Sequence, residues 1–313
     1  MTQTVHGAGT IPLTGTQYEI AAGGYQAVAT ELGGGLRELR HGGRPAIAEY
    51  QPDELPPGAA GQLLVPWPNR VDGGRYTVAG TEYQLDLSEP KTGNAIHGLG
   101  RWASWQAVRH DRHAVTLRLE LLGRTGYPFC LEIEVEYHLS DTGLRVSVTT
   151  RNVGAHAAPY GTGSHPYLTA GRGSVDDWEL TLPAALWLPT DVRGIPSAPA
   201  VGVAGTPYDF RQPRTIAATQ LDHALTRLDR DADGRAWACV AANGAGARVC
   251  LWAGEGYRWL QVFTGDTLGP DRRRKAVAVE PMTCPPNAFV TGEDLLVLKP
   301  GEEVTHTWGI QAS

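Results

Sequence analysis

LEIEVEYHLSDTGLRVSVTT, residues 131–150, alternates apolar and polar side chains almost without a break. Such a period of two puts one set of side chains on each face of a β-strand, so residues 131–139 predict a half-buried strand with a charged outer face. The SDTG segment at 140–143 is typical of a turn, and the alternation resumes at Leu144, Val146 and Val148. The stretch therefore predicts an antiparallel hairpin.

The same strand pattern continues outward from the hairpin. Residues 115–121 alternate before it, and shorter strand candidates follow it: WELTL (178–182), RVCLW (248–252), RWLQVF (258–263), AVAVE (276–280) and VTHTWGI (304–310). Helical periodicity is scarce, and residues 221–228 alone are spaced like one or two helical turns, with Leu or Ala at 221, 224, 225 and 228. We interpret the Pro-rich segment 183–215 as a long surface excursion. The predicted fold is all-β, a large antiparallel β-sandwich that forms a single domain over residues 1–313.

The amino-acid composition is typical of a chain with many short strands joined by turns. Gly (39) and Pro (22) make up 61 of 313 residues, against a usual ~12%. Turn signals include VDGG (71–74), KPGEE (299–303) and the AGAG-type run near residue 245. The net charge is 27 − 33 = −6, which disfavours nucleic acid or an anionic membrane as a partner. No apolar run approaches the ~18–20 residues of a membrane helix.

The cysteines show no close metal-type spacing. We interpret Cys130, Cys239, Cys250 and Cys284 as reduced, buried side chains in a cytoplasmic protein. Residues 1–13 have neither a basic nor an apolar leader region, so we expect no signal peptide. We expect a monomer or homodimer without a metal or cofactor.

Two segments in the first third of the chain carry candidate binding residues. In PWPNRVDGGRY (66–76), prolines stiffen the backbone before Asn69 and Arg70, whose guanidinium suits sugar hydroxyls or a carboxylate; the alternative is a solvated surface loop. In NAIHGLGRW (94–102), His97 lies near Trp102 and Trp105, and aromatic rings beside polar donors often hold sugars. The alternative is a structural histidine with tryptophans in the core.

Two later segments carry candidate catalytic residues. In PYGTGSHPYL (159–168), prolines and glycines surround His165 and would hold it still, as a proton donor requires; the alternative is an incidental turn. In AVAVEPMTCPPNAF (276–289), Glu280 ends an apolar strand, where desolvation raises a carboxyl pKa toward that of a general base; the alternative is an edge glutamate. Asp222 in QLDHAL (220–225) is less distinctive and on its own is an N-cap.

This residue set favours one kind of chemistry. The chain lacks a G-x-S-x-G nucleophile elbow, HExxH zinc spacing and a dinucleotide glycine motif in its proper context. A glycoside hydrolase needs two suitably spaced carboxylates, whereas here only Glu280 is well placed, with Asp222 as a second candidate. We therefore expect cofactor-free acid–base chemistry on a neutral polyol.

In chain order, these segments resemble the aldose 1-epimerase (galactose mutarotase) family. The resemblance rests on NR (69–70), GRYTVAGTEYQL (74–85), NAIHG (94–98), GYPF (126–129), SHPYL (164–168), LQVFTG (260–265), VEP (279–281) and PGEEVTHTWGI (300–310). It implies a β-supersandwich that interconverts the α and β anomers of a free aldose. It also implies Glu280 as general base and His165 as general acid. The implied sugar-binding residues are Arg70, His97, Asp222, Asn69, Gln261 and Trp67.

The sequence departs from the best-known members of that family. SHPYL replaces an Asn-His-Ser-Tyr-Phe type of run, and Trp67 is a variant within PWPNR. These variants are more similar to a bacterial side branch that includes sulfoquinovose-type mutarotases, so a modified hexose is an alternative substrate. A non-catalytic carbohydrate-binding or sensing module is an alternative function. Asp209, Asp229 and Asp231 compete with Asp222, and we interpret RRRK (272–275) as a solvated loop rather than a sugar-phosphate site.

Overall fold

The computed structural model describes residues 10–242 and 247–313. The first half of the chain is a series of strands joined by tight turns. Its strands are β1 (Gln17–Ala22), β2 (Tyr25–Thr30), β3 (Leu36–His41), β4 (Arg44–Pro45), β5 (Leu63–Leu64), β6 (Arg70–Val71), β7 (Arg75–Val78), β8 (Thr81–Gln84), β9 (Ala95–Ile96), β10 (Gln106–His110), β11 (Ala114–Leu121), β12 (Leu131–Ser140) and β13 (Gly143–Asn152).

The second half continues in the same way. Its strands are β14 (Ala158–Tyr160), β15 (Gly163–Ser164), β16 (Tyr167–Leu168), β17 (Trp178–Thr181), β18 (Ala184–Trp187), β19 (Val201–Gly202), β20 (Arg214–Thr215), β21 (Asp222–Leu228), β22 (Ala236–Ala242), β23 (Arg248–Ala253), β24 (Trp259–Phe263), β25 (Val277–Met282), β26 (Leu296–Leu298) and β27 (Glu303–Ala312). Helical structure within the described residues is limited to α1 (Ala288–Thr291) and four single 3₁₀ turns, at Pro57–Ala59, Asp72–Gly74, Gly100–Trp102 and Val175–Asp177.

The long hairpin lies within a nine-stranded antiparallel sheet. Its strand order is β10-β11-β12-β13-β27-β23-β22-β17-β20. Strands β12 and β13 pair continuously, from Leu131 opposite Asn152 to Ser140 opposite Gly143, as the alternation predicts. Along β12 every apolar residue is buried, while the intervening polar residues are only partly covered.

An eight-stranded sheet carries the functional cleft. Its order is β19-β18-β21-β24-β25-β15-β5, and β16 also pairs with β25. One continuous hydrophobic cluster contains Ile133 and Val135 of the nine-stranded sheet together with Leu260, Val262 and Val279 of the eight-stranded sheet. The two sheets thus share a core, and the predicted all-β antiparallel sandwich is confirmed.

Two local predictions are wrong. Residues 221–228, predicted as one or two helical turns, form strand β21, because Asp222 to Leu225 pair with Phe263 to Leu260 in the sheet. Cross-strand pairing here overrides a short helical spacing. The segment 183–215 is not a simple surface excursion, since it contains β18, β19 and β20 and buries Val203 and Phe210 in the core.

The interpretation of all four cysteines as reduced is also wrong. Cys239 and Cys250 form a disulfide. They lie directly opposite each other in the β22–β23 pair, and this register cannot be read from their spacing in the sequence. Cys284 is buried as expected, whereas Cys130 is only partly buried.

Some expectations lie outside the described residues. These are the turn near residue 245, most of which falls within 243–246, and most of the N-terminal segment 1–13. Among the residues that are described, no helix has the length and apolar character needed to cross a membrane.

Candidate active site

A cleft of about 390 Å³ lies against the eight-stranded sheet, lined by residues of its interior strands β21, β24 and β25. Seven of the eight predicted site residues line it: Asn69, Arg70, His97, His165, Asp222, Gln261 and Glu280. The 3₁₀ turns at Pro57–Ala59 and Gly100–Trp102 add to its wall. Its volume falls in the range of small-molecule sites.

Glu280 and His165 form the floor of this cleft, and sheet register brings them together. Gly163 pairs with Met282 and Tyr167 pairs with Ala278, so His165 comes opposite Glu280. The His165 backbone is held at both ends, because its N–H donates to the Gln62 carbonyl (3.1 Å) and its carbonyl accepts from the Gly61 N–H (2.9 Å). Nε2 of His165 lies 3.2 Å from Oε1 of Glu280.

The environment of this pair disfavours charge on both partners. Burial, reinforced by the charge of Asp222, raises the pKa of Glu280 well above its usual value, while Arg70 opposes this shift. Burial lowers the pKa of His165 to about 3; a backbone hydrogen bond opposes this shift, and the charge of Arg101 adds to it. Because the two groups are adjacent, they titrate as one unit that holds a single proton over a wide pH range.

Asn69 and His97 brace each other on one wall of the cleft. Both have a left-handed backbone, with φ of 55° and 62°. The His97 N–H donates to the Asn69 carbonyl (2.9 Å), and the Asn69 N–H donates to Nδ1 of His97 (3.3 Å). Gly98 allows this loop to pack tightly, since a Cβ there would lie 2.0 Å from the Val65 carbonyl oxygen. Non-glycine residues in this conformation store strain, which is common at functional sites.

The pKa of His97 follows from the same packing. Burial lowers it well below the usual value, and the nearby charges of His165, Arg101 and Arg70 act in the same direction. The His97 ring contacts that of His165 edge to face, with centroids 5.4 Å apart. His97 is therefore suited to hydrogen bonding as a neutral imidazole.

Arg70 is fixed by Glu89. Two parallel hydrogen bonds of 2.8 and 2.9 Å join the guanidinium to the carboxylate. A bidentate pair of this kind fixes the plane of the guanidinium, so its remaining donors point in a defined direction. The local strand pairing, Arg70 opposite Ile96, puts it beside His97.

Asp222 and Gln261 are coupled across two strands. Gln261 pairs directly with Glu280 on one side and with Ala224 on the other. Its Nε2 donates to Oδ1 of Asp222 at 2.7 Å. Of the four aspartates that compete for the sugar-binding role, only Asp222 is among the residues lining the cleft; Asp209 pairs with Arg211, and Asp231 accepts from Trp237.

Trp67 is the predicted site residue that does not belong to the cleft. It is 2% exposed and packs against Tyr127 and Phe289, with ring centroids 6.4 and 5.3 Å away. Its large apolar ring is therefore part of the core. Trp105 is likewise buried, whereas Trp102 is half exposed at the rim of the cleft.

Comparison with known proteins places this arrangement in a family. Residues 16–311 match the family model described as Aldose 1-epimerase. The chain belongs to the aldose 1-epimerase family. This is a family of isomerases that act on carbohydrates, as the resemblance in the sequence implies.

Relatives of this aldose 1-epimerase family member extend along most of its length. The uncharacterized protein YihR of Escherichia coli (strain K12) is 38% identical over 291 residues, 92% of this chain and 91% of YihR. The galactose mutarotase of Mus musculus is 27% identical over 262 residues, 76% of this chain and 74% of that protein. A GalM/aldose epimerase homologue from C. elegans shares the fold, with a TM-score of 0.83 at 18% identity over 95% of this chain and 98% of that one.

Three cleft residues of this family member escaped prediction. Tyr167 stacks on His165 (5.0 Å) and donates to the Gly58 carbonyl, and Glu89 anchors Arg70. Arg101 lines the cleft, and its charge lowers the pKa of both His97 and His165. Tyr167 and Arg101 belong to the SHPYL and HGLGRW motifs, which offered a signal, whereas nothing marks Glu89 in the sequence.

The RRRK loop at 272–275 is held in place by ion pairs. In the RRRK loop, Arg272 pairs with Glu54, and Arg274 pairs with Asp176 and Asp266. These partners make it a tied loop rather than a freely solvated one. Within residues 10–242 and 247–313, no group of three or more His, Cys, Asp or Glu side chains is arranged to hold a metal ion.

Proposed function

We propose that this protein is a mutarotase that interconverts the α and β anomers of a free aldose by acid–base ring opening and reclosure. The observation that carries the proposal is the buried Glu280–His165 pair on the floor of a cleft of sugar size. O1 and O5 of a cyclic aldose are bonded to the same carbon, C1. Two groups that exchange protons with them must lie side by side, as these two do.

Ring opening begins from the minor, ionised arrangement of the pair, in which its single proton lies on His165 rather than on Glu280. Glu280 takes the proton of the C1 hydroxyl, the C1–O5 bond breaks, and protonated His165 gives its proton to O5. The products are an open-chain aldehyde, a neutral Glu280 carboxyl and a neutral His165. Because burial raises the pKa of Glu280 and lowers that of His165, this neutral form of the pair is stabilised while the aldehyde is bound.

Closure reverses the proton transfers. Rotation about C1–C2 presents the other face of the aldehyde to O5. His165 takes the O5 proton as O5 attacks C1, and Glu280 returns its proton to O1. The pair ends in its starting form, and no proton is gained or lost over the cycle.

The polar walls of the cleft supply binding. Arg70, held by Glu89, and neutral His97 can hydrogen-bond sugar hydroxyls, and the Asp222–Gln261 pair offers an acceptor and a carbonyl oxygen. Oε1 of Gln261 and Oε2 of Glu280 are buried and have no hydrogen-bond partner among the described residues. Unmet buried groups of this kind favour a polar ligand.

Polarimetry of freshly dissolved α-D-glucose and α-D-galactose tests the proposal. The protein should accelerate mutarotation of at least one of them. Glu280→Gln and His165→Asn should abolish the acceleration, whereas Glu82→Gln, at an exposed glutamate on β8, should retain it. Full acceleration by Glu280→Gln would refute the assigned base, and sugar binding without acceleration would favour a non-catalytic binding module.

A further inference from the structure

Arg101 is a cationic side chain on the wall of the cleft with no counter-ion among the residues that the structure describes. No ion pair or side-chain hydrogen bond joins its guanidinium to those residues, and its Nε is buried without a partner. The guanidinium carbon lies 5.0 Å from the centre of the Trp102 ring, which holds it at the rim.

Other arginines of the protein have carboxylate partners, in contrast to Arg101. Arg70, the other arginine that lines the cleft, is neutralised by Glu89 through two hydrogen bonds. In the RRRK loop outside the cleft lining, Arg272 and Arg274 also pair with carboxylates. Glu89, whose charge acts on Arg101, is already bonded to Arg70. Burial also lowers the pKa of Arg101, as expected for a cation that has lost water without gaining a partner. A partly desolvated guanidinium that retains its donors is suited to an anionic ligand.

The position of Arg101 indicates which carbon of a bound sugar its guanidinium would face. Gln62 links Arg101 to His165, because Nε2 of Gln62 donates to the Arg101 carbonyl (2.7 Å) and the Gln62 carbonyl accepts from the His165 N–H (3.1 Å). Arg101 therefore lies toward the histidine end of the cleft, and its charge lowers the pKa of both His97 and His165. In the proposed reaction His165 acts at O5. C5 is bonded to O5 and carries C6, so a group on C6 leaves the ring close to the residue that serves O5.

We propose that Arg101, braced by Trp102, forms a subsite for an anionic group on C6 of the sugar. This inference rests on the proposed mutarotase function for the orientation of the ring. A carboxylate, a phosphate and a sulfonate each present two oxygens to the planar fork of a guanidinium, and this shared chemistry defines the substrate class. Lysine would supply the charge without the fork.

Anomer exchange by NMR tests the subsite on four sugars that differ at C6: D-glucose, D-glucuronate, D-glucose 6-phosphate and 6-deoxy-6-sulfo-D-glucose. Rates are corrected for spontaneous exchange. At least one anionic sugar should exceed D-glucose in kcat/KM by tenfold or more, and the three anionic arms identify the preferred group. Arg101→Met should reduce that preference at least tenfold, and Arg101→Lys should give an intermediate preference.

Arg145→Gln is the matched control, because it removes one exposed positive charge on β13 of the nine-stranded sheet, outside the cleft lining. It should leave the preference for the anionic sugar intact. Raising ionic strength should weaken the preference of the wild-type protein. An equal loss on all four sugars in Arg101→Met, with the acid limb of the pH profile moved to higher pH, would show that Arg101 acts only through His165 and would overturn the subsite.

Binding measurements separate this proposal from the proposed function. Calorimetry with the same four sugars needs no turnover. If no sugar is accelerated, the mutarotase proposal fails, yet the subsite stands if an anionic sugar binds more tightly than D-glucose and Arg101→Met removes the difference. If D-glucose is accelerated but no anionic sugar is preferred in either rate or binding, the subsite fails while the mutarotase proposal stands.

Discussion

The β12–β13 hairpin and the β24–β25 pair are both pairs of antiparallel neighbours in a sheet, yet they differ in how they bury polar residues. In β12 each buried apolar residue is followed by a partly covered polar one. In β25 all six residues are buried, among them Glu280 and Pro281. The hairpin follows the pattern that favours stability, whereas the β24–β25 pair buries a carboxyl group that burial itself disfavours.

The polar atoms show the same contrast. On the outer face of the hairpin, Glu134 pairs with Arg118 of the neighbouring β11, and Glu136 pairs with Arg145 of β13. Around β25, the buried Nδ1 of His165, Oε2 of Glu280 and Oε1 of Gln261 have no hydrogen-bond partner among the described residues. Unfavourable local features, such as buried polar atoms without partners, concentrate at functional sites, where a ligand supplies the missing hydrogen bonds. The buried polar groups of the eight-stranded sheet therefore serve function but destabilise the fold. The regularly packed nine-stranded sheet offsets this loss of stability.

The largest expected effect is a loss of catalysis from a substitution in the β24–β25 pair. Glu280→Gln should lower kcat for mutarotation by about 10²–10⁴-fold, because the amide cannot accept the C1 hydroxyl proton. Polarimetry or anomer-exchange NMR measures the rate, and circular dichroism checks the fold. A loss below threefold would contradict the role of Glu280.

A core substitution in the β12–β13 hairpin should lower stability and leave catalysis unchanged. Ile133 on β12 is fully buried in the shared core. Ile133→Ala should reduce the free energy of unfolding by about 2–5 kcal/mol through lost burial and a residual cavity. Urea unfolding measures the loss, and kcat of the folded fraction should match the wild type. A fall in kcat of tenfold or more would show that the two regions are not separable.

The same contrast explains what the sequence predicts well. Strict alternation makes the hairpin visible, since one buried face and one wet face leave a period of two. Glu280 and His165 are visible because a lone carboxylate ends an apolar strand and a histidine lies among prolines and glycines. Their contact is not visible, because it depends on the register of β15 and β16 against β25, which no local pattern encodes.

The failed predictions have the same origin in long-range pairing. The spacing of residues 221–228 fits a helix, but pairing with β24 makes them a strand. Trp67 stands next to the Asn69–Arg70 motif, yet its ring turns toward Phe289 in the core. The Cys239–Cys250 bond depends on the β22–β23 register. The role of Arg101 cannot be read from its motif, because a free arginine and a paired one look alike in a sequence.

A smaller effect concerns how the buried Glu280 makes stability depend on pH. Burial raises the pKa of Glu280 above its unfolded value of about 4.3, so the folded state binds the proton more tightly. This contribution is fully present below pH 4.3 and is lost as pH rises through the raised folded pKa. Glu280→Gln should therefore be more stable than the wild type at pH 8 but not at pH 4. Urea midpoints at both values measure this, and equal midpoints at pH 8 would contradict it.

The smallest effect concerns Asp222, at the exposed end of the site. Asp222→Asn keeps an oxygen for Gln261 but removes a negative charge that helps to raise the pKa of Glu280. KM should rise about two- to tenfold, the size of one weakened hydrogen bond. The pair should also lose its proton more readily, so the alkaline limb of the kcat/KM profile should move to lower pH.

Asp209→Asn provides the matched control for that change, because Asp209 is an exposed aspartate that pairs with Arg211 outside the cleft. Its KM and pH profile should equal those of the wild type. Movement of the alkaline limb in Asp222→Asn alone would tie the charge at the rim to the buried carboxyl on the floor. An alkaline limb that stays in place, or moves to higher pH, would mean that Asp222 only binds sugar and that burial alone sets the pKa of Glu280.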